Sequence, residues 1–239
     1  PILTFDDWTA EWDSASYLPQ DQKYQLDKNL AEKVSEIRSV TVIDFAETVE
    51  KKSPSAPFIT STLQQIASSK LKFPPKKTMQ LAQRLYDGGY ITYMRADNPN
   101  LSDEALMMIY QVCQLKGYEM VESPRKWKTP TGSQEAHECI RPCDFSLEEA
   151  GDDADEKALY RLIWQRAVAS QLAPATYAVR TITLQSDDMV SEQKPIFIAK
   201  GRKLINSGWK SVYLDDDKEQ EDMNNPVPSL NIDERLNEF

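Results

Sequence analysis

Gly88-Gly89-Tyr90-Ile91-Thr92-Tyr93-Met94-Arg95-Ala96-Asp97 reads as the stop of a helix followed at once by a short strand. Upstream, Leu81, Ala82, Leu85 and Tyr86 recur at helical spacing, and Gly88 or Gly89 supplies the left-handed residue that ends such a helix. Tyr90 to Met94 is aromatic and β-branched, which favours an extended backbone. Side chains of an extended chain alternate between faces, so Tyr93, Arg95 and Asp97 fall on one side. A phenol beside a guanidinium supports two readings. One is ordinary packing, with a half-buried tyrosine and a solvated arginine. The other is attack on a phosphodiester by the phenol while the cation holds the phosphate.

Outward from this stretch the chain reads as helical. Ser61 and Gln64 form a capping-box pattern that starts a helix through about residue 69, with Leu63, Ile66 and Ala67 as its apolar face. Pro74-Pro75 breaks it, and Pro75 suits the first position of the next helix. Lys76 and Lys77 then stand at a helix start, where they oppose the dipole but are placed to meet a phosphate; simple solvation is the other reading. Ser102 caps a helix from Asp103 to Leu115 that Gly117 ends. Residues 118–145 are loop-rich. Ser146 and Glu149 pattern as a capping box for one short turn ended by Gly151, and Leu159, Leu162, Ile163, Ala167 and Val168 mark a helix over about 155–172. Asp153, Asp155 and Glu156 could be a metal cluster, but acids before a helix more simply serve its N-terminus.

Towards the ends the pattern changes. Residues 1–20, with Trp8, Trp12 and Tyr17, suggest one or two irregular strands. Leu26, Leu30, Val34 and Ile37 predict a helix over about 22–38, and Val40, Val42, Ile43 and Phe45 a strand over 39–45. Lys51 to Pro57 reads as a linker. Tyr177 to Leu184, Ile196 to Lys200 and Trp209 to Leu214 read as strands, and Asp215-Asp216-Asp217 as a solvated turn.

The 239 residues are 40% apolar and 28% charged, as in a globular protein with a substantial core. No apolar run approaches a membrane span and no signal-like N-terminus is present, so no membrane partner is expected. Position 1 is Pro rather than Met, which suggests an excised piece of a longer chain. Cys113, Cys139 and Cys143 form no Cys-x-x-Cys pair, which argues for reduced thiols in a cytosol-like compartment and against zinc. The net charge of −10 opposes nucleic-acid binding. Its distribution softens the objection, since Lys70, Lys72, Lys76, Lys77, Arg84 and Arg95 cluster around the opening stretch.

Three ordered blocks carry a family resemblance. Ala56-Pro57-Phe58-Ile59-Thr60-Ser61-Thr62-Leu63-Gln64-Gln65 leads into Lys77-Thr78-Met79, Ala82 to Tyr86 and Gly89 to Arg95. Gln134-Glu135-Ala136-His137-Glu138-Cys139-Ile140-Arg141-Pro142 follows, and then Leu162-Ile163-Trp164 with Ser170 to Tyr177. Together they resemble the core of the type IA DNA topoisomerases, the bacterial topoisomerase I branch in particular. The resemblance implies an α+β fold. Residues 53–173 would form a mostly helical, winged-helix-like nucleophile domain, inserted between 1–52 and 174–239 as two segments of one β-rich arch domain.

For chemistry, the resemblance implies a 5′-phosphotyrosyl link made by Tyr93, with Arg95 and His137 as the other catalytic residues. Arg95, Lys76, Lys77 and Arg141 would contact DNA, and Asp97 and Glu138 would support them. Arg141 either clamps a phosphate or pairs with Glu138. A phenol titrates near ~10, so a nucleophilic Tyr93 needs nearby positive charge or a proton acceptor. Mg²⁺ is expected to serve the full enzyme from a separate domain, with no cofactor in this chain. Single-stranded and negatively supercoiled DNA are the expected partners, with the remaining domains of the same polypeptide. The piece alone is expected to be inactive. A bacterial source implies a nucleoid-associated cytoplasmic location, a eukaryotic one an organelle or nucleus. Where the family usually has Thr and, two residues on, Ser, this chain has Ala96 and Asn98, which implies an altered balance of cleavage and religation. The rival class is a non-catalytic winged-helix nucleic-acid-binding module.

Overall fold

The computed structural model of the chain describes residues 1–18, 27–129, 138–213, 225–237 and 239. They form two compact units: Pro1–Lys51 with Thr176–Asn206 and Lys218–Phe239, and Lys52–Ala175 with Ser207–Asp217.

The first unit is built on a mainly antiparallel sheet. Its strands are β1 (Ile2–Thr4), β2 (Thr9–Asp13), β3 (Val40–Lys52), β4 (Ala175–Ser186), β5 (Ile196–Asn206) and β6 (Arg235–Leu236), in the order β1-β2-β5-β4-β3-β6. Along β4, buried Ile182 and Leu184 set the face turned to the core of this unit, and the register pairs Ile182 with Ala199 and Leu184 with Phe197. Those residues pack with Leu3, Trp8, Val34, Ile37, Val40 and Val42 into one apolar cluster, closed by Phe5 stacked on Trp8 at 3.9 Å. Helix α1 (Lys28–Ser35) starts where the Asp27 carboxylate accepts from Leu30 N at 3.1 Å. It is shorter than the helix expected over 22–38, whose first residues lie outside those described. Strand β3 runs past the expected end at Phe45 and takes in Lys51 and Lys52, assigned above to a linker. Its second half is exposed on both faces, so no apolar alternation marks it; Glu47 instead meets Arg180 at 2.7 Å.

The second unit is helical. Its core helix, α5 (Ala154–Ser170), is buried almost all round, with Leu159, Tyr160, Ile163, Trp164, Ala167 and Val168 at its centre. Around it lie α2 (Thr60–Ile66), a π-helical turn (Ala67–Leu71), α3 (Pro75–Asp87) and α4 (Asp103–Lys116). Helices and antiparallel strands thus segregate, as an α+β fold requires. Ser102 Oγ accepts from Ala105 N at 3.3 Å to cap α4, and Gly117 closes that helix at φ +70°. Trp209 to Tyr213 is a 3-10 turn rather than the expected strand: Trp209 N donates to Ala173 O at 2.9 Å and Lys210 N to Ser207 O at 2.9 Å. The short turn expected at Ser146 is set by Asp144, whose carboxylate accepts from Ser146 N at 2.8 Å.

Two differences bear on the opening stretch. Helix α2 is capped at Ile59, two residues before the expected cap at Ser61, and Thr62 Oγ1 accepts from Ile59 N at 3.1 Å. Tyr90 to Met94 forms no strand; a single bridge links Ile91 to Pro142. The stop of α3 is a Schellman motif, with Gly89 N donating to Tyr86 O and Tyr90 N to Leu85 O, both at 2.9 Å. Gly89 sits at φ +75° with open space where a Cβ would stand, so a substitution there meets backbone strain alone. Gly89→Ala is expected to cost about 1 kcal/mol in urea unfolding, and Gly89→Asn clearly less, because asparagine tolerates the left-handed region. Equal losses for the two variants would contradict this account.

Candidate active site

Residues 93 to 97 keep the alternation of a strand without a ladder. Tyr93, Arg95 and Asp97 are exposed, while Met94 and Ala96 are buried in the helical unit's core. The three exposed side chains line one cleft of about 430 Å³ together with Ile59, Thr60 and Ser61. The Tyr93 ring is 38% exposed and stands edge-on to Tyr86, with centroids 5.3 Å apart.

Two threonines hold this segment. Thr92 N donates to Arg141 O at 2.9 Å, and Thr92 Oγ1 donates to Cys139 O at 2.8 Å while accepting from Arg141 N at 3.0 Å. On the other side Thr60 N donates to Ala96 O at 2.9 Å. Thr60 Oγ1 accepts from Ala96 N at 3.0 Å and has two acceptors within reach of its proton, Met94 O at 2.9 Å and Ala96 O at 3.0 Å.

The segment facing Thr92 is the second quoted block. His137 and residues 130–136 lie outside the described residues. From Glu138 onward, Cys139, Ile140, Arg141 and Pro142 are buried, with Ile140 N donating to Phe58 O and Cys143 N to Tyr90 O, both at 2.9 Å. Arg141 is 6% exposed. Its guanidinium forms a fork with Glu138, Nε to Oε2 at 2.8 Å and NH2 to Oε1 at 2.7 Å, and its NH1 donates to Pro142 O at 2.8 Å. Of the two readings of Arg141, this geometry is the pair with Glu138; the guanidinium points inward rather than to an incoming strand. Burial pushes the Glu138 carboxyl up, the Arg141 guanidinium and Ser102 pull it down, and the balance leaves it below its ordinary value.

A second cleft, of about 910 Å³, adjoins Arg95 and is lined by Lys76, Lys77, Met79, Gln83, Arg84 and Asp155. Two of its cations, Lys77 and Arg84, are matched by acids at the start of α5. Lys77 Nζ lies 2.6 Å from Asp155 and 4.2 Å from the Phe73 ring centroid. Arg84 reaches Asp153 at 3.0 Å and Glu156 at 2.6 Å. Asp153 also caps α5, accepting from Glu156 N at 2.8 Å. These carboxylates do not fit a divalent cation, since each is already turned towards a guanidinium or an ammonium.

Residues 8–238 match the family model described as DNA topoisomerase. The chain belongs to the type IA DNA topoisomerase family. It is 44% identical over 231 residues to the plasmid DNA topoisomerase I of Xylella fastidiosa, covering 94% of this chain and 35% of that protein. With DNA topoisomerase 1 of Escherichia coli it shares 46% identity over 164 residues, 66% of this chain and 18% of that one. The solved full-length topoisomerase I of Thermotoga maritima aligns with 99% of this chain and 38% of its own at a TM-score of 0.77 and 32% identity. The chain thus spans about a third or less of the curated type IA relatives it matches.

Several residues that build this cleft carry no signal in the sequence. Thr60 was quoted only as part of a block, and its hydroxyl is committed to a segment 34 to 36 positions away. Tyr86 reads in the sequence as one more apolar helix position. Asn100 ties the flanks of residues 130–137, accepting from Trp127 N at 2.8 Å with its side chain and from Cys139 N at 3.0 Å with its carbonyl. No local pattern announces a long-range clamp of this kind.

Glu138 gives the site a pH signature. Its carboxyl has the lower pKa in the folded state, so the pair stabilises fully above the unfolded value of about 4.3 and is lost as pH falls through the depressed folded value. Glu138→Gln leaves a buried guanidinium without its anion and is expected to cost about 3 kcal/mol in urea unfolding at pH 7. The gap between variant and wild type narrows at pH 3. A gap independent of pH would show that the carboxylate's charge contributes nothing.

Proposed function

We propose that this chain is the nucleophile-bearing part of an enzyme that breaks and rejoins one DNA strand and so relaxes negative supercoils. The observation that carries the proposal is the joint exposure of Tyr93, Arg95 and Asp97 on one cleft, with the intervening side chains buried. Tyr93 Oη attacks phosphorus; the new O–P bond forms as the bond to the 3′ oxygen breaks, and the phenol's proton is lost while the leaving 3′ hydroxyl gains one. The product is a 5′-phosphotyrosyl link, and the reverse step reseals the strand. One phosphodiester replaces another in each direction, so no ATP is consumed. Arg95 meets the charge on the non-bridging oxygens, where a preorganised cation contributes about 3 kcal/mol to such a transition state. Asp97 orients that side of the cleft, and His137 assists the phosphate or the proton movement.

Lys76 and Lys77 receive the phosphates that flank the scissile one. Arg141 and Glu138 act by holding the Thr92 segment. Residues 53–173, joined by the turn at Gly208–Tyr213, serve as a winged-helix-like nucleophile domain, and the segments 1–52 and 174–206 belong to the arch domain. Mg²⁺ belongs to a domain outside this chain, and without that domain the chain neither cleaves nor relaxes DNA. Among the described residues no helix is long and apolar enough to cross a membrane, and action on DNA in a bacterial cytoplasm, at the nucleoid, fits the proposal.

The test uses the complete polypeptide with Mg²⁺ and a single-stranded oligonucleotide. A 3′-end label is expected to enter the protein band on a denaturing gel, a 5′-end label is not, and Tyr93→Phe abolishes the adduct. Tight binding with no adduct would overturn the proposal in favour of a non-catalytic nucleic-acid-binding module. The Lys77–Asp155 pair adds a prediction about binding. Asp155 must be exchanged for phosphate, so Asp155→Asn is expected to tighten oligonucleotide binding about threefold at low salt, the scale of an exposed ion pair. The gain should fade as salt rises, and a gain that survives Lys77→Gln would reject the pairing as its cause.

A further inference from the structure

We infer that Thr60 is a positioning residue for Arg95. The hydroxyl of Thr60 stands between the two peptide groups that flank Arg95. Met94 O, 2.9 Å away, belongs to the Met94–Arg95 peptide, and Ala96 N, 3.0 Å away, belongs to the Arg95–Ala96 peptide. A threonine hydroxyl has one proton to donate and lone pairs to accept, so it can satisfy both at once. Thr60 N adds a third bond, to Ala96 O at 2.9 Å, which fixes the next peptide. With both flanking peptides held, the backbone dihedrals of Arg95 are set, and with them the direction of its Cα–Cβ bond into the cleft that Thr60 also lines.

No strand ladder does this work, since the segment forms only the bridge at Ile91. Thr60 itself is anchored as the first residue of α2, and the peptides it holds carry buried Met94 and Ala96, both in the core. The clamp therefore couples a rigid helix start to the one cation that both clefts share. Loss of the hydroxyl leaves Met94 O and Ala96 N unpaired beside the core, and the segment relaxes to find other partners. Displacement of a charged donor by about an ångström is enough to lower a rate up to a hundredfold without removing any reacting group.

The inference rests on the reading of Tyr93 as nucleophile and Arg95 as the phosphate cation. Its test is the rate of adduct formation by the complete polypeptide with Mg²⁺ on a 3′-labelled oligonucleotide, beside the affinity for the same oligonucleotide. Thr60→Val is expected to slow adduct formation about tenfold, equal to about 1.4 kcal/mol, with affinity changed less than about twofold. Thr60→Ser, which keeps the hydroxyl, retains most of the rate. In an Arg95→Ala background, Thr60→Val adds almost no further slowing. Additive losses in that background, or equal rates for Thr60→Val and Thr60→Ser, would overturn the inference. Thr60→Ala replaces Thr60→Val if the latter unfolds, with the same expectations. A wild-type protein that forms no adduct, or a Tyr93→Phe variant that still does, would instead remove the reading beneath it.

Discussion

A hydroxyl that donates to one carbonyl while accepting from one amide can replace two rungs of a β-ladder, and the site depends on two such groups. Thr92 meets residues 139 and 141 on one side of Tyr93, and Thr60 meets residues 94 and 96 on the other. The stretch between them keeps the in-and-out alternation of a strand because Met94 and Ala96 are drawn into the core. An extended segment held by side chains exposes its outer face without offering a free edge to another chain. Tyr93, Arg95 and Asp97 occupy that face.

Charge is arranged around the same segment in two ways. Glu138 and Arg141 form a buried fork that turns inward and holds the facing segment, satisfying each other and Pro142 O. Such a pair adds specificity of geometry more than stability. Lys77 and Arg84 instead stand half-exposed, each opposite an acid at the start of α5. An exposed pair is weak and exchanges readily with other ions. A chain with a net charge of −10 can thus present Lys77 at the cleft with a displaceable partner, the half-exposed Asp155, while Arg84 stays held by the buried Glu156.

What sequence conveyed was decided by how local each cause is. The caps at Ser102 and Gly117, the start at Pro75 and the stop at Gly89 depend on a few neighbouring residues, and their patterns carried them. The facing of Tyr93, Arg95 and Asp97 followed from the alternation of residue types, even though the strand used to argue it is absent. The roles of Thr60 and Asn100 depend on partners dozens of residues away, which no window contains. Trp209 to Tyr213 misled because aromatic content favours strands, whereas Gly208 at φ +48° and the carbonyl of Ala173 bend the chain into a turn. The buried fork of Arg141 was one of two readings left open, since sequence gives no depth.

The spacing of the Thr92 contacts has a consequence for biogenesis. Thr92 and Arg141 are 49 positions apart, while Thr60 precedes Ala96 by 36. During translation at about 5–20 residues per second, the Thr60 half of the support is on hand as soon as residue 96 emerges, and the other half arrives only several seconds later. Both halves still await α5, Ala154–Ser170, because Met94 and Ala96 share its apolar core, so the nucleophile segment is fastened only after the second block and that helix have both been made.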